Sequence, residues 1–298
     1  MSYEKIHGLL LIDKPVGITS RQATTMVSKI CSEKTAGHLG TLDPLATGLL
    51  PILLGQATRL AHFLEGDSKL YLARVKLGKS TSTMDLEGEE LFSAPVPKLS
   101  VDEVKEVLKQ FTGEIEQVPP MHSALRVKGK RLYDLARQGK EIERKARKIK
   151  IFSIELKNFS GDELEILVEC SPGTYLRVLA DDIGKAFKCG AHLSALRRLR
   201  SGRFSLEESV PLDRLTGENF QDYLLPLEDI LDFEKIEVAD EIGYKIKDGM
   251  QIPLKSLGIE KPAGTLLRVF SKPCFAIAEI LEKQGALVVQ PVKVFERN

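Results

Sequence analysis

Apolar positions along this chain recur with two different periods, and each switch between them predicts an element. Residues 9–13, LLLID, form a short apolar run closed by KPVG, which predicts a buried strand and a turn. In TSRQATTMVSKICS, Ala23, Met26, Val27 and Ile30 fall at helical spacing, with Thr19 or Ser20 as the cap. YLARVKLG alternates instead, placing Tyr71, Ala73, Val75 and Leu77 on the inner face of a half-buried strand. LSVDEVKEVLKQFTG returns to the helical period. Ser100 and Glu103 form a capping box, Val104, Val107, Leu108 and Phe111 make the stripe, and Gly113 ends it. ELEILVEC alternates again through Leu164, Ile166, Val168 and Cys170. After the turn SPG, TYLRVLADDIGKAF predicts a helix that buries Leu176, Leu179, Ala180 and Ile183.

Strands and helices are interspersed without a repeating βαβ rhythm, so the pattern predicts an α+β domain rather than a doubly wound parallel sheet. The acidic stretch ENFQDYLLPLEDILDF marks a boundary. Beyond it TLLRVF, CFAIAEIL and ALVVQPVKVF are short alternating segments separated by Gly, Pro and Lys, the rhythm of a small β-barrel or sandwich. The expected domains are therefore residues 1–231 and 232–298.

Composition narrows the function classes. With 43% apolar and 29% charged residues in 298, the chain reads as a soluble globular protein with material for a sizeable core. GLLPILLG is too short for a membrane span and is broken by Pro51, and the N-terminus lacks the basic start and cleavage site of a signal peptide. Cys31, Cys170, Cys189 and Cys274 are isolated, and the histidines show no ligand spacing, so neither a disulfide framework nor a metal site is expected, and the expected location is the cytoplasm. No Gly-rich phosphate loop or dinucleotide fingerprint occurs, and no cofactor is expected.

The net charge of +1 conceals an asymmetry. Residues 126–150 carry eleven Lys or Arg against three acids, whereas residues 207–241 carry twelve acids against two bases. The basic segment reads either as a phosphate-binding surface or as a solvated charged helix or hairpin.

Three residues stand out for chemistry, each with an ordinary alternative. Asp43 lies in GHLGTLDPLATG among Gly37, Gly40 and Gly48. Asp followed by Pro44 can open a helix as N-cap and first residue, or the loop can hold a carboxylate for reaction. Arg177 can pair with Asp181 one helical turn on, or serve a site. Tyr71 faces inward, where an aromatic also serves a core.

Taken together, LLLIDKPVGITS, AGHLGTLDPLATGLLPILLG, SKLYLARVKLG, VPPMHSALRVKGKRLYDLAR and CSPGTYLRVLADDIG…CGAHLSALRRLRSGRF resemble the TruB family of RNA pseudouridine synthases. The blocks stand in the family's order across most of residues 9–204, and the remainder resembles the PUA domain that accompanies this catalytic domain. The resemblance implies a mixed, largely antiparallel sheet flanked by helices, with a small PUA-like β-barrel after it. It implies isomerisation of the tRNA T-loop uridine conventionally numbered 55, after base flipping, without cofactor or metal. Asp43 matches the catalytic aspartate, Arg177 the arginine that compensates its charge, and Tyr71 the tyrosine that stacks on the base. Leu196 matches an apolar residue packed around that base, and His38 an imidazole that fills space left by flipped nucleotides. Lys14 falls among the substrate-side residues, with a supporting role in the fold near the site. Arg126, Lys130 and Arg131 would meet substrate phosphates, with Arg197, Arg198, Arg200 and Arg203 as further contacts. The PUA-like domain would hold the acceptor stem. The partner is tRNA; the protein is expected to act as a monomer without an obligate protein partner. His122 and Pro172 depart from the usual pattern. Two other classes are an RNA methyltransferase, which would need a Gly-rich methyl-donor loop, and a tRNA-folding chaperone, which would need no Asp43.

Overall fold

The computed structural model describes residues 6–66, 68–121, 126–127, 130–131 and 142–297. The fold is α+β, with two compact units. One unit comprises Leu10–Leu53 and Leu64–Leu224; the other gathers residues up to Leu9, Leu54–Phe63 and the chain from Leu225 onward.

The larger sheet contains β1 (Gly8–Lys14), β2 (Ala46–Leu54), β3 (Lys69–Leu77), β4 (Gly113–Gln117), β5 (Arg147–Ser160), β6 (Glu163–Cys170), β7 (Ala191–Ser201) and β8 (Val210–Pro211). Its main path runs β8-β1-β2-β7-β3-β6-β5-β4. The pairs β7–β3, β3–β6, β6–β5 and β5–β4 are antiparallel, whereas β2–β7 and β1–β8 are parallel. The sheet is thus mixed and largely antiparallel, as expected.

Position in the sheet explains the two kinds of strand sequence. β1 and β2 are buried almost throughout, which is why GLLLIDK and ATGLLPILL read as continuous apolar runs. β3 and β6 are covered fully on one face only. Tyr71, Ala73, Val75 and Leu77 are buried in β3, and Leu164, Ile166, Val168 and Cys170 in β6, following the alternation.

Among the described residues of this unit, α1 (Ser20–Ile30), α2 (Val101–Lys109) and α3 (Leu176–Ala186) are the longer helices. Thr19 and Gln22 box the start of α1, and Ser100 and Glu103 that of α2. Met26 does not join the stripe of α1. The buried positions are Ser20, Ala23, Thr24 and Val27, and Met26, off that line, is 45% exposed. The helix-start reading of Asp43 and Pro44 also gives way. Residues 44–45 form a turn closed by the Ala46 amide on the Asp43 carbonyl at 3.0 Å, and the chain continues as β2. Backbone pairing with β7 outweighs the local cap signal.

The second unit carries a five-stranded sheet of β9 (Glu234–Glu237), β10 (Ile252–Pro253), β11 (Leu266–Phe270), β12 (Cys274–Lys283) and β13 (Ala286–Glu296), ordered β9-β11-β12-β13-β10. One helix that the sequence pattern does not predict, α4 (Asp240–Lys247), adds Ile246 to a core of Leu267, Val269, Ala276, Ile280 and Val289. Leu54–Phe63 is tied to this unit by side chains: Arg59 stacks 4.7 Å over Phe295, and Phe63 meets Phe233 edge-on at 5.7 Å. All four cysteines are buried and free, and no helix among the described residues is long and apolar enough to cross a membrane.

Gly48 is the tightest contact in the loop-to-strand passage. Its φ is +96°, and a Cβ there would stand 2.3 Å from the Arg198 carbonyl oxygen, across the β2–β7 pairing. Both strain and backbone collision oppose a side chain. Gly48→Ala is expected to lower unfolding free energy by about 2–4 kcal/mol, read from the urea midpoint.

Candidate active site

A cleft of about 470 Å³ opens beside β3 and β7, lined by the 38–43 loop, the 171–177 segment, Tyr71, Leu196 and Arg198. It brings together Asp43, Tyr71, Arg177, His38 and Leu196, residues separated by up to 158 positions.

The Asp43 turn is built from backbone props. The Ser20 hydroxyl, buried at the start of α1, donates to the Leu42 carbonyl at 2.9 Å and accepts from the Leu42 amide at 2.8 Å. The Gly17 amide donates to the Pro44 carbonyl at 2.8 Å. Lys14 stands beneath. It is fully buried, and its Nζ donates to the carbonyls of Pro15 and Ile18 at 2.8 and 2.7 Å. This burial corrects the grouping of Lys14 with substrate-side residues: its ammonium shapes the loop that carries Gly17 and Ser20.

Arg177 emerges from the first turn of α3, is 4% exposed, and sets its Nε 3.0 Å from Asp43 Oδ2. It does so instead of the ordinary pairing with Asp181, which Lys185 takes at 2.7 Å. Arg177 Nη1 donates to the Thr83 carbonyl at 3.4 Å and lies 3.8 Å from Asp85 Oδ2. Asp85 is itself buried, and its Oδ1 accepts from the Thr83 hydroxyl and the Glu87 amide. One guanidinium therefore sits between two carboxylates. Sequence reasoning missed Asp85, because STSTMDLEG has the composition of an ordinary turn.

Burial pushes the Asp43 carboxyl above its ordinary value; the Arg177 charge and hydrogen bond and the Lys14 charge oppose this, while the Asp85 charge adds to it. The Asp43 side chain still keeps 37% of its surface open. This is a carboxylate partly withdrawn from water and aimed into a cleft, a setting for nucleophilic or base chemistry.

Tyr71, 8% exposed, lies opposite Arg198 in the β3–β7 pairing. Burial raises its hydroxyl above the ordinary phenol range, with Arg198 opposing through charge and a hydrogen bond. His38 is half-buried at the rim, its Nδ1 3.1 Å from the Thr24 hydroxyl and its Nε2 3.4 Å from that of Thr41. Burial, then the Arg198 charge, depress its proton affinity. Leu196 is 9% exposed on the apolar wall.

The arginines of β7 and beyond do not form one exposed row. Arg197 forks onto Asp13, with Nη2–Oδ2 at 2.6 Å and Nη1–Oδ1 at 3.2 Å. Arg200 binds Glu169 Oε1 at 2.6 Å, and Arg203 is exposed. Arg198 is only 1% exposed and is spent on backbone carbonyls, which removes it as a phosphate contact. Pro172 is exposed on the cleft lining. Arg126–Val127 and Lys130–Arg131 pair as a two-residue antiparallel ladder; their side chains and His122 lie outside the described residues.

With this geometry in view, comparison with known proteins is specific. Residues 28–176 match the model of the TruB family pseudouridylate synthase N-terminal domain, and residues 177–232 that of the tRNA pseudouridylate synthase B C-terminal domain. A tRNA pseudouridine synthase B of Nitrosococcus oceani is 46% identical over 84% of this chain and 83% of its own. That of Clostridium tetani is 39% identical over 96% and 99%. Among solved structures, a Cbf5–Nop10–Gar1 complex matches at TM-score 0.71 and 27% identity over 96% of this chain and 84% of that one. An H/ACA RNP bound to a substrate RNA containing 2′-deoxyuridine shares the fold at TM-score 0.72 and 24% identity, over 97% and 85%.

Lys14 generates a prediction independent of function. Burial lowers its ammonium to about 8, with Asp43 opposing. The unfolded lysine titrates near 10.4, so between about pH 8 and 10.4 the unfolded chain holds a proton that the native state has released, and stability rises with pH. Relative to Lys14→Met, the wild type is expected to gain roughly 2 kcal/mol between pH 8 and 10, measured by urea unfolding at both values.

Proposed function

The chain belongs to the TruB family of pseudouridylate synthases and isomerises uridine in tRNA, and on that premise we propose that Asp43 is its catalytic carboxylate and the T-loop uridine conventionally numbered 55 its target. One arrangement carries this reading: Asp43 opens on a cleft of about 470 Å³ with Arg177 Nε 3.0 Å from its Oδ2 and Tyr71 on the wall. That volume is within the range of small-molecule sites, about 300–1,000 Å³.

The reaction breaks the bond from ribose C1′ to uracil N1 and forms one from C1′ to C5. A proton leaves C5 and one ends on N1, so substrate and product have the same atoms and oxidation level. The chemistry calls for a charged group at the ribose and proton transfer at the base. Asp43 supplies the first, as nucleophile or base, with Arg177 holding it ionised. Tyr71 supplies the second, its ring stacked on uracil and its hydroxyl near C5. The base reaches them by leaving its stack, at an unpairing cost lowest in a loop. His38, kept neutral, then fills the vacated space, and Leu196 packs against the extruded base.

Around this centre, Arg126, Lys130, Arg131 and Arg203 engage phosphates of the T-arm. The second unit, read as PUA-like, receives the acceptor stem, and the protein works as a monomer in the cytoplasm without an obligate protein partner. Full-length tRNA should accordingly bind more than about tenfold tighter than an isolated T-arm hairpin, as each added set of phosphate contacts contributes. Equal affinities by filter binding count against an acceptor-stem contact.

The deciding experiment follows tritium release from C5-labelled uridine in an unmodified T-arm transcript. Asp43→Asn is expected to lower turnover by more than about 10³-fold while RNA binding persists. Unchanged turnover would remove Asp43 from the reaction, and release from a position other than 55 would change the target. The pH profile gives a second check, because Asp43 acts deprotonated and activity falls as pH drops through its raised pKa. Arg177→Gln removes an opposing charge and should move that acid limb to higher pH. Asp85→Asn removes a reinforcing charge and should move it lower.

A further inference from the structure

Arg198 is the largest fully buried side chain of the described residues, and its charge has an unusual setting. Its Nε donates to the Leu49 carbonyl at 2.7 Å, and its Nη2 to those of Gly40 at 3.0 Å and Leu39 at 3.3 Å. Among the described residues no carboxylate forms an ion pair with it, although Arg197 and Arg200 on the same strand each have one. Removing a cation from water is costly, and buried arginines are ordinarily paired with carboxylates. Here three carbonyl dipoles are the compensation. A positive charge is thus kept unneutralised in the cleft wall.

The placement of those carbonyls is informative. Leu39 and Gly40 precede Asp43 in the loop, and Leu49 follows it in β2, so the guanidinium clasps the Asp43 turn from both sides. Gly40 permits the approach: its φ is +67°, and a Cβ there would lie 2.9 Å from Arg198 Nη1. From the other side the β3–β7 register sets Tyr71 directly across from Arg198.

We propose that Arg198 is a positioning residue for the isomerisation: it seats the Asp43 turn, and it holds the Tyr71 hydroxyl by its oxygen, directing the hydroxyl's one proton into the cleft. The proposal rests on Tyr71 acting at the target base. A guanidinium has only donors, so a phenol oxygen that meets it can only accept, and its own proton stays available. The same fixed charge favours the phenolate formed as that proton passes to N1, and the phenolate oxygen then takes the proton that leaves C5, so the tyrosine is regenerated; this is the preorganised kind of stabilisation that needs no rearrangement during reaction. Electrostatics agree in direction. The Arg198 charge and hydrogen bond lower the Tyr71 hydroxyl's proton affinity against burial, while the groups facing it from β6 and the loop, Cys170 and Asp43, raise it. His38, on the far side, is also held down by Arg198.

The test compares Arg198→Gln, which loses the charge, with Arg198→Lys, which keeps it, using a T-arm hairpin and histidine NMR titration. In Arg198→Gln, kcat should fall by at least about 10²-fold with KM within about threefold, the scale for losing one preorganised donor. His38 should titrate at higher pH in this variant, while the resonances of the other histidines stay in place and report an intact fold. Arg198→Lys should leave the His38 titration unchanged and keep kcat within about tenfold of wild type, since charge survives and only the fork is lost. A kcat for Arg198→Gln within threefold of wild type, or an unmoved His38, overturns the proposal. If Arg198→Gln fails to fold, a double-mutant cycle decides: in a Tyr71→Phe background the effect of Arg198→Lys on kcat should shrink, because the part carried through Tyr71 is gone, and fully additive effects overturn the proposal. Wild-type turnover in the same assay keeps the underlying reading separate from this outcome.

Discussion

The constraint around which this cleft is arranged is a carboxylate that has lost part of its water and faces a buried guanidinium. Burial alone favours the neutral Asp43, and Arg177 alone would pin the anion so firmly as to blunt it. The structure contains both pressures, and adds Asp85 on the far side of the guanidinium. Arg177 shared between two acids gives each less than its full attraction. The carboxyl is pulled both ways, raised by burial and by Asp85 and lowered by Arg177 and Lys14, and neither pressure is fully relieved.

Such a balance is lost if the turn wanders by an ångström, and most of the surrounding architecture acts against that. Ser20 fixes the peptide before Asp43, Gly17 the carbonyl after it, and Arg198 the two flanks. Lys14 shapes the loop that delivers Ser20 and Gly17. These are side-chain and main-chain bonds to backbone, which hold position without adding a competing carboxylate near Asp43. Mounting the Asp43 loop on buried β1 and β2 gives it a rigid base that exposed loop residues could not supply.

Much of the fold was legible because burial writes a period into the sequence. β3, β6 and α3 bury the residues their spacing selected, since each has one covered face, whereas α2 buries only Val104 and Leu108 of its four and ends at Lys109, before Phe111. Legibility failed where a local signal has two structural meanings. Asp before Pro caps helices and also makes turns, and only the pairing of Gly48 with Arg198, remote in sequence, decides between them. In ALRRLRS the arginines look alike, yet strand alternation sends neighbours to opposite faces, so Arg198 goes inward while Arg197 reaches Asp13 at the surface. That alternation was a usable signal for a buried arginine. Asp85 had none, because its significance lies wholly in its distance from Arg177. The cleft residues were found through their resemblance to a family; spacing alone left each with an ordinary explanation.

The connectivity also sets an order of events during synthesis. β1 is made about 200 residues ahead of its neighbours, since Ile12 and Asp13 pair with Val210 and Pro211, and Gly8 and Leu9 with Pro226 and Leu225. At ribosomal rates of roughly 5–20 residues per second, this apolar strand waits about ten to forty seconds for those neighbours. Its sequence, GLLLIDK, is nearly uninterrupted hydrocarbon, and Lys14 at its end cannot be desolvated until the loop carbonyls close around it. The nascent chain therefore carries an unpaired apolar strand through that interval, and the turn that bears Asp43 can reach its final geometry only once Arg177 and Arg198 have been made.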